Sequence, residues 1–483
     1  MKTLHNIDPE LTLDDLYNKV DRNDPKIFKM IRKKWTDGLF QIESDMMKGL
    51  VDRIQPTGFE DISAIAAIGR PGPLGAHADI NYAKGKNTGD CVPLPMEGCE
   101  DIFEETYNVP IYQEQLMFVS KKVAGFNDNQ ADSITRKILG KKKIALMPML
   151  KRCHIYGKKN CEGPEGWEEN DDLPWYDPKG KYGDEIPGGI SRGYTKEQIL
   201  HYFDEISEFA KYSFNRAHTA CYGYIAVLTG WLKTYYPTEF MSALLSVFDG
   251  DEDKKRRYMD VCENQLKIKL RVPDINLSGE DFTPMKKEIL YGLGGVKGCG
   301  AASIPGIIAE REKNGPYESI ADINARLPKS VLKKNVAEAL IKCGAFDFQD
   351  TNRYRLLNEF MDLRKDKKST RYNVEDYNES VAIGMEESTL GVAITYKPWW
   401  STIKEDQKID SEPATLISLN ERTDKKGRLM GFYTLSINDC EIEAISFATT
   451  YARYSGIMEN NYFLVSGKKD SKGKLLLSRA IPV

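Results

Sequence analysis

Ala131-Asp132-Ser133-Ile134-Thr135-Arg136-Lys137-Ile138-Leu139-Gly140-Lys141-Lys142-Lys143 is the stretch from which the rest of the chain is read. Five cations fall within the eight residues from Arg136 to Lys143. Between Lys121 and Asn160 there are eleven Lys and Arg against two Asp, a local excess of +9 in a chain whose formal net charge is -4. Strong local basicity in a nearly neutral chain points to a polyphosphate partner met at one place. The plainer alternative is a solvated helix end whose cations face the negative pole of the helix dipole.

The bulk numbers bound the rest. At 483 residues the chain is expected to form two to four domains with sizeable cores. Hydrophobic content of 41% and charged content of 29% are ordinary for a globular protein. The near-zero net charge excludes a uniformly basic nucleic-acid coat. The nine cysteines are odd in number and form no Cys-x-x-Cys pair, so they read as reduced cytosolic thiols. Met1-Lys2-Thr3-Leu4-His5 has no apolar run and is no signal peptide. Ala220 to Leu232 is too short to span a bilayer and reads as a buried helix, so no membrane role is expected.

In chain order, residues 1 to 36 read as short helices, with Thr12 as a cap before Leu13-Asp14-Asp15. Helices follow at Asp45 to Ile54 and Phe59 to Ile68. Gly69-Arg70-Pro71-Gly72-Pro73-Leu74 then sets Arg70 at a stiff corner, since both prolines fix φ. His77 to Pro95 reads as a loop. Tyr112-Gln113-Glu114-Gln115 opens a helix to Ala124, with Met117, Phe118 and Val123 on its apolar face. From Glu162 to Glu185 nine acids meet two Lys, which reads as an irregular acidic insertion over about 160–192. Cys153, His154 and Cys161 are too few and too unevenly spaced for a strong zinc signature. Glu197 to Tyr212 is amphipathic and delivers Asn215, Arg216 and His218 onto a turn, where phosphate or base contact competes with a purely structural role. Asp251 to Arg257 is a charge run read as solvated surface.

Ile289 to Gly300 carries Gly295-Val296-Lys297-Gly298-Cys299-Gly300 ahead of an expected helix, Ala301 to Lys313. This is the helix-hairpin-helix pattern. Its glycines let backbone amides approach a phosphate, and Lys297 adds charge. A weaker copy is read at Val331 to Phe346, around Lys342-Cys343-Gly344-Ala345-Phe346. Residues 362–388 are highly charged and read as a linker. From 412 on the chain alternates like an all-β domain: Ala414–Leu419, Leu429–Ile437, Glu441–Phe447, Tyr462–Lys468 and Leu475–Ile481 are expected strands, with a helix at Thr449 to Met458. Five strands with a helix between the third and fourth is the order of an OB fold, which suits single-stranded nucleic acid or protein docking. Phe432 and Tyr433 alternate faces, so only one of them is available to stack.

Together these stretches resemble the bacterial replicative DNA polymerase III alpha subunit, a C-family polymerase. The matching segments are Leu39-Phe40-Gln41-Ile42-Glu43-Ser44, Arg70-Pro71-Gly72-Pro73-Leu74, Tyr112-Gln113-Glu114-Gln115, Arg136 to Lys143, Phe214 to Ala220, Trp231-Leu232-Lys233, Tyr236 to Phe240, Pro273-Asp274-Ile275-Asn276 and the hairpin. The resemblance implies a mainly α fingers domain at 1–270 and a tandem helix-hairpin-helix domain at 271–350. A linker and packed segment at 351–411 and a small all-β OB-fold domain at 412–483 follow. It implies nucleotide and template contacts at Arg70, Arg136, Lys137, Lys141, Lys142, Lys143, Asn215, Arg216 and His218. It places DNA-backbone contacts at Gly295, Val296, Lys297, Gly298 and Gly300.

The family's palm motif, a paired Asp-x-Asp with a further Asp upstream of the Phe-Gln-Ile-Glu-Ser stretch, has no counterpart here. No catalytic residue or metal ligand is therefore expected in this chain. The Mg²⁺ ions of the family are expected on a palm-bearing partner chain, as in a split gene of bacterial or viral origin. Expected partners are primer-template DNA, a dNTP, that palm chain, and single-stranded DNA at the OB domain. The alternative is a non-catalytic DNA-binding or regulatory fragment. A stand-alone nuclease or ligase lacks any carboxylate cluster or nucleophilic lysine motif.

Overall fold

The computed structural model describes residues 1–140, 144–206, 214–438, 440–458, 462–471 and 473–482. Two compact units emerge: Met1–Leu244 with Asn264–Leu266, and Leu245–Glu263 with Lys267–Val483. No helix among the described residues is long and apolar enough to cross a membrane.

The first unit is helical. Its centre is α1 (Phe59–Ile68), apolar nearly throughout and buried from Ile62 to Ile68. The Asp61 carboxylate starts it by accepting the Thr57 and Gly58 amides at 2.7 and 3.2 Å. Helix α2 (Gln113–Val119) widens into π-helical turns over Ser120–Ala124 and stops at Gly125, whose φ is +80°. Helix α3 (Arg216–Tyr235) crosses α1 at Gly223, where a Cβ would stand 3.3 Å from the Ser63 amide nitrogen. Lys233, on α3, is buried because its ammonium donates to the Trp35 and Asp37 carbonyls at 2.9 and 2.7 Å.

Three expectations change here. His77–Pro95 is not a loop: Ala78–Thr88 is a helix, and Gly85 belongs to it because a Cβ there would lie 2.4 Å from Tyr107 Cβ. Phe118 is 49% exposed, and the buried face of α2 is Leu116 and Val119. Asn215, Arg216 and His218 do not lie on a turn; they cap and begin the twenty-residue α3. The amphipathic helix before them runs over Lys196–Ile206, and the remainder of its expected span lies outside the described residues.

The acidic insertion is mostly irregular, as expected, but it is held in place. Arg152, 3% exposed, donates to the Leu173, Trp167 and Pro174 carbonyls, each at 2.9 Å, and packs against the Trp167 and Trp175 rings. Lys158, fully buried, reaches Asn160 Oδ1, the Gly183 carbonyl and Asp177. Cys153 and His154 are buried and Cys161 is exposed, and no three His, Cys, Asp or Glu side chains among the described residues form a metal-holding group.

The second unit begins with α4 (Glu252–Asp260), capped by Asp251. Asp251 to Arg257 is mostly exposed, as read, with one exception: Lys255 is 2% exposed. Helix α5 (Ile304–Asn314) follows the glycine hairpin and starts later than expected, and α6 (Lys334–Lys342) lies beyond it. Residues 362–388 are not a plain linker. Helices α7 (Arg353–Leu363) and α8 (Glu379–Leu390) are pinned by a buried ion cluster. Arg353 donates to Asp347 and Glu386, both at 2.8 Å, and Glu386 accepts the Ile394 and Thr395 amides. Breaking such a buried pair costs about 3–5 kcal/mol.

The tail forms a closed five-stranded barrel: β1 (Lys408–Thr423), β2 (Leu429–Ile437), β3 (Cys440–Ser446), β4 (Phe463–Lys469) and β5 (Leu475–Pro482), in the order β5-β3-β2-β1-β4. A helix, Ala448–Met458, lies between β3 and β4. This is the OB arrangement expected from the strand order. Strand β1 is longer than its alternation suggested because much of it is exposed on both faces.

His154 is fully buried between the Phe126 and Phe203 rings. A carbonyl only accepts, so Nδ1–H donates to Leu150 O at 2.8 Å, and Nε2 lies 2.8 Å from Ser120 Oγ. Burial pushes its pKa down to about 4. The unfolded chain, with its ordinary value near 6.5, binds the proton more readily, so stability is complete above that value and falls as pH drops toward about 4. The full loss is about 3 kcal/mol. Denaturant melts of the protein and of His154→Gln between about pH 7 and about pH 5 test this. The variant is expected to be less stable throughout and to lose less stability as pH falls, the difference approaching about 1.4 kcal/mol per pH unit only below about pH 6.

Candidate nucleic-acid interface

The first cluster is built where three segments meet in the first unit. Phe214 runs beside Tyr112, its carbonyl accepting the Gln113 amide at 2.9 Å. Asn215 then caps α3, with Oδ1 accepting the His218 amide at 2.9 Å. Glu114 fixes this junction, accepting from Asn215 Nδ2 at 2.8 Å and from the Arg216 amide at 2.9 Å. The Arg216 guanidinium reaches Glu105 at 2.6 Å and lies 5.5 Å from the Tyr112 ring centre. Tyr112 is buried, which pushes its pKa up to about 12, and its hydroxyl donates to Ser63 Oγ, which donates to Thr219 Oγ1.

Beside this, planar groups follow one another in file, mostly edge-on or tilted. The Arg70 guanidinium lies 3.7 Å over the Phe214 ring, and its Nε is buried without a hydrogen-bond partner. Phe214 meets His218 at 5.2 Å, His218 meets Tyr222 at 4.0 Å, and Tyr222 meets Phe40 edge-on at 5.3 Å. So Arg70, Asn215, Arg216 and His218, distant in sequence, come together. A cleft of about 470 Å³ opens next to them, lined by Asp101, Glu105, Tyr112, Phe118, Lys122 and Arg216 among others. It is mixed in charge, and an anion that takes the face of Arg216 now held by Glu105 must displace that carboxylate.

The basic stretch is less available than its charge count suggests. Lys121 pairs with Asp128, Lys122 with Asp101, Arg136 with Asp132 and Lys159 with Glu185, while Arg152 and Lys158 are buried in the insertion. Lys137 is exposed. Lys141, Lys142 and Lys143 lie outside the described residues. Among the described residues no hydrogen bond, ion pair or ring contact joins Arg136 or Lys137 to the Arg70–Arg216 cluster. Tyr112, Glu114, Phe214 and Phe40 fall within motifs quoted from the sequence but have no role assigned to them there, and Tyr222 lies outside those motifs. The adjacent Gln113-Glu114-Gln115, at a helix start, was the available signal for Glu114.

The second cluster is the glycine hairpin of the second unit. Leu293–Gly295 makes one tight turn, its Leu293 and Gly294 amides donating to the Gly279 and Glu280 carbonyls. Gly295 and Val296 face inward: a Cβ on Gly295 would stand 2.6 Å from Asp249 Oδ2, and Val296 is 2% exposed. The Lys297 side chain is 57% exposed, but its amide donates to the Thr389 carbonyl at 2.7 Å. Gly298 has φ +96° and lies against Ala339 of α6, while the space beside Gly300 is open. The weaker copy is closed. Gly344 packs on the Arg353 guanidinium, where a Cβ would sit 2.4 Å from Nη2.

In the barrel, Tyr433 is core, 2% exposed and bonded to Ser446 Oγ at 3.0 Å. Phe432 points the other way, half-buried, with the Arg422 guanidinium 5.3 Å from its ring centre.

Lys297→Ala is expected to weaken binding of duplex DNA with little sequence dependence and to flatten the salt dependence of log K by about 1. Titration of a labelled duplex at several salt concentrations reads both, and an unchanged slope would remove the hairpin from the interface.

Comparison with known proteins agrees with this division. Residues 3–160 match the family model described as the bacterial DNA polymerase III alpha subunit finger domain, and residues 267–356 match a helix-hairpin-helix motif model. The chain is 29% identical over 466 residues to the DNA polymerase III subunit alpha of Aquifex aeolicus, covering 92% of this chain and 37% of that protein. It is 29% identical over 509 residues to the Thermus aquaticus protein of the same name, covering 95% and 38%. It is 34% identical over 356 residues to that of Helicobacter pylori strain J99, covering 72% and 26%. The chain thus spans between about a quarter and two fifths of the length of these curated relatives.

Proposed function

This chain is a relative of the bacterial DNA polymerase III alpha subunits along most of its length, and on that footing we propose that it is the fingers and DNA-binding part of a replicative polymerase. In this reading the first unit receives the incoming dNTP and template, and the hairpin grips the duplex. The palm that carries out nucleotidyl transfer belongs to a separate polypeptide.

The observation that carries the reading is the gathering of Arg70, inside the segment matched to the finger domain, with Phe214, Asn215, Arg216 and His218, which follow that segment in the chain. A guanidinium flat on a ring, with a second cation at the cleft wall, suits a ligand that is planar at one end and anionic at the other. Arg136 and Lys137, with Lys141, Lys142 and Lys143, would supply further charge along the approach. The described residues do not fit a Mg²⁺ site, since no three acids, histidines or cysteines converge. In this reading the ions such a reaction uses are held by acids outside this chain, whose own part is to hold and orient. Phe432 with Arg422 is the place in the barrel for a stacked single-strand base. With its free thiols the chain is assigned to the cytoplasm. One observation favours the alternative of a non-catalytic DNA-binding or regulatory fragment: Glu105 already occupies Arg216.

Primer extension tests the reading. The chain alone is expected to extend nothing, and a mixture with a palm-bearing polypeptide that carries the paired aspartates is expected to restore synthesis. Extension by the chain alone, or no restoration by any such polypeptide, removes it. In the restored enzyme Arg136→Ala is expected to raise the nucleotide KM or lower kcat, with duplex affinity little changed.

A further inference from the structure

The ammonium of Lys297 is already engaged. It lies 3.5 Å from Glu252 Oε1, in the first turn of α4. Glu252 is itself fixed from behind. The buried Lys255 Nζ lies 3.3 Å from Glu252 Oε2 and 3.3 Å from Asp249 Oδ1. It also donates to the Tyr291 hydroxyl at 3.1 Å and the Leu390 carbonyl at 3.3 Å. Gly391 closes the other side: its φ is +77°, and a Cβ there would stand 2.7 Å from Glu252 Oε2. Thr389, two residues earlier, holds the Lys297 amide. Burial works against ionisation of Glu252, but Lys255 and then Lys297 hold its carboxyl below the usual range. The carboxylate is thus charged, anchored on buried partners, and turned toward an exposed lysine.

We propose that Glu252 is a built-in stand-in for a DNA phosphate at Lys297. It sits on one face of the ammonium, so a phosphate that binds that face displaces it. This rests on the reading of the hairpin as a duplex grip. Its effect is to aim Lys297 in the absence of DNA and to weaken the grip in its presence. A weakened grip suits a protein whose duplex must slide past it one step at a time. Glu252 is then a positioning residue, and its place in the charge run that begins α4 has a function beyond solvation.

The experiment is anisotropy titration of a short labelled duplex at several KCl concentrations. The variants are Glu252→Gln, Glu252→Asp, Lys297→Ala and the double variant Glu252→Gln/Lys297→Ala. Glu252→Gln is expected to bind more tightly, by up to about fivefold, the range of an exposed ion pair. Its log K against log salt should be steeper by up to about 0.9. Glu252→Asp keeps a charge beside Lys255 but is one methylene shorter. It should move the same way by less, and it covers the case in which the glutamine variant fails to fold. In the Lys297→Ala background the gain should vanish, which separates a local effect from the general removal of negative charge. If Lys297→Ala binds as the parent does, the hairpin reading itself fails. If Lys297→Ala weakens binding while both Glu252 variants match the parent in affinity and slope, the hairpin reading stands and the stand-in is wrong.

Discussion

The candidate nucleotide site depends on Glu114. One carboxylate takes the Asn215 side chain on one oxygen and the Arg216 amide on the other. It thereby ties the start of α2 to the start of α3, segments about a hundred residues apart. A charged acceptor holding two donors at a helix N-terminus is favourable both as a hydrogen-bond acceptor and against the helix dipole. Everything else in the cluster follows from this junction. Phe214 is set beside Tyr112, Arg70 finds the Phe214 ring, and His218 faces Tyr222.

Most of the fold was legible in the sequence because its signals were local and periodic. The buried helix at 220–232, the capped Leu13–Lys19 helix and the barrel strands follow from period and caps alone. Two of the errors share one cause. The 78–88 helix was hidden by a glycine that is there for close packing on Tyr107. The 379–390 helix was hidden by charge, yet its Glu386 is fully buried because Arg353 and two amides satisfy it. In both, tertiary partners that no window of sequence contains overrode the local preference.

The site was legible in part. Residue types and motif order identified Arg70, Asn215, Arg216 and His218, and these do converge. Their aromatic partners were not identified, because a ring at 4–6 Å leaves no spacing rule in the sequence. The basic stretch shows the opposite limit. A local excess of +9 counts formal charges, but what a ligand meets is charge without a neighbour, and Asp101, Asp128, Asp132 and Glu185 each take one. The helix-hairpin-helix copies divide in the same way: the first keeps Gly300 beside open space, whereas Arg353 fills the second.

The Arg152 anchor has a consequence for how the acidic insertion changes over evolutionary time. Its guanidinium is satisfied almost wholly by main-chain oxygens of the insertion, at Trp167, Leu173 and Pro174. Main-chain oxygens are indifferent to which side chains surround them, so acids beside this anchor such as Glu168 and Glu169 are free to drift in identity, whereas Asp177 is tied to the buried Lys158. Its length and path are not, because shortening the loop would strand an arginine inside the protein with nothing to receive its protons. Loop and arginine are therefore expected to be gained and lost as a single heritable unit.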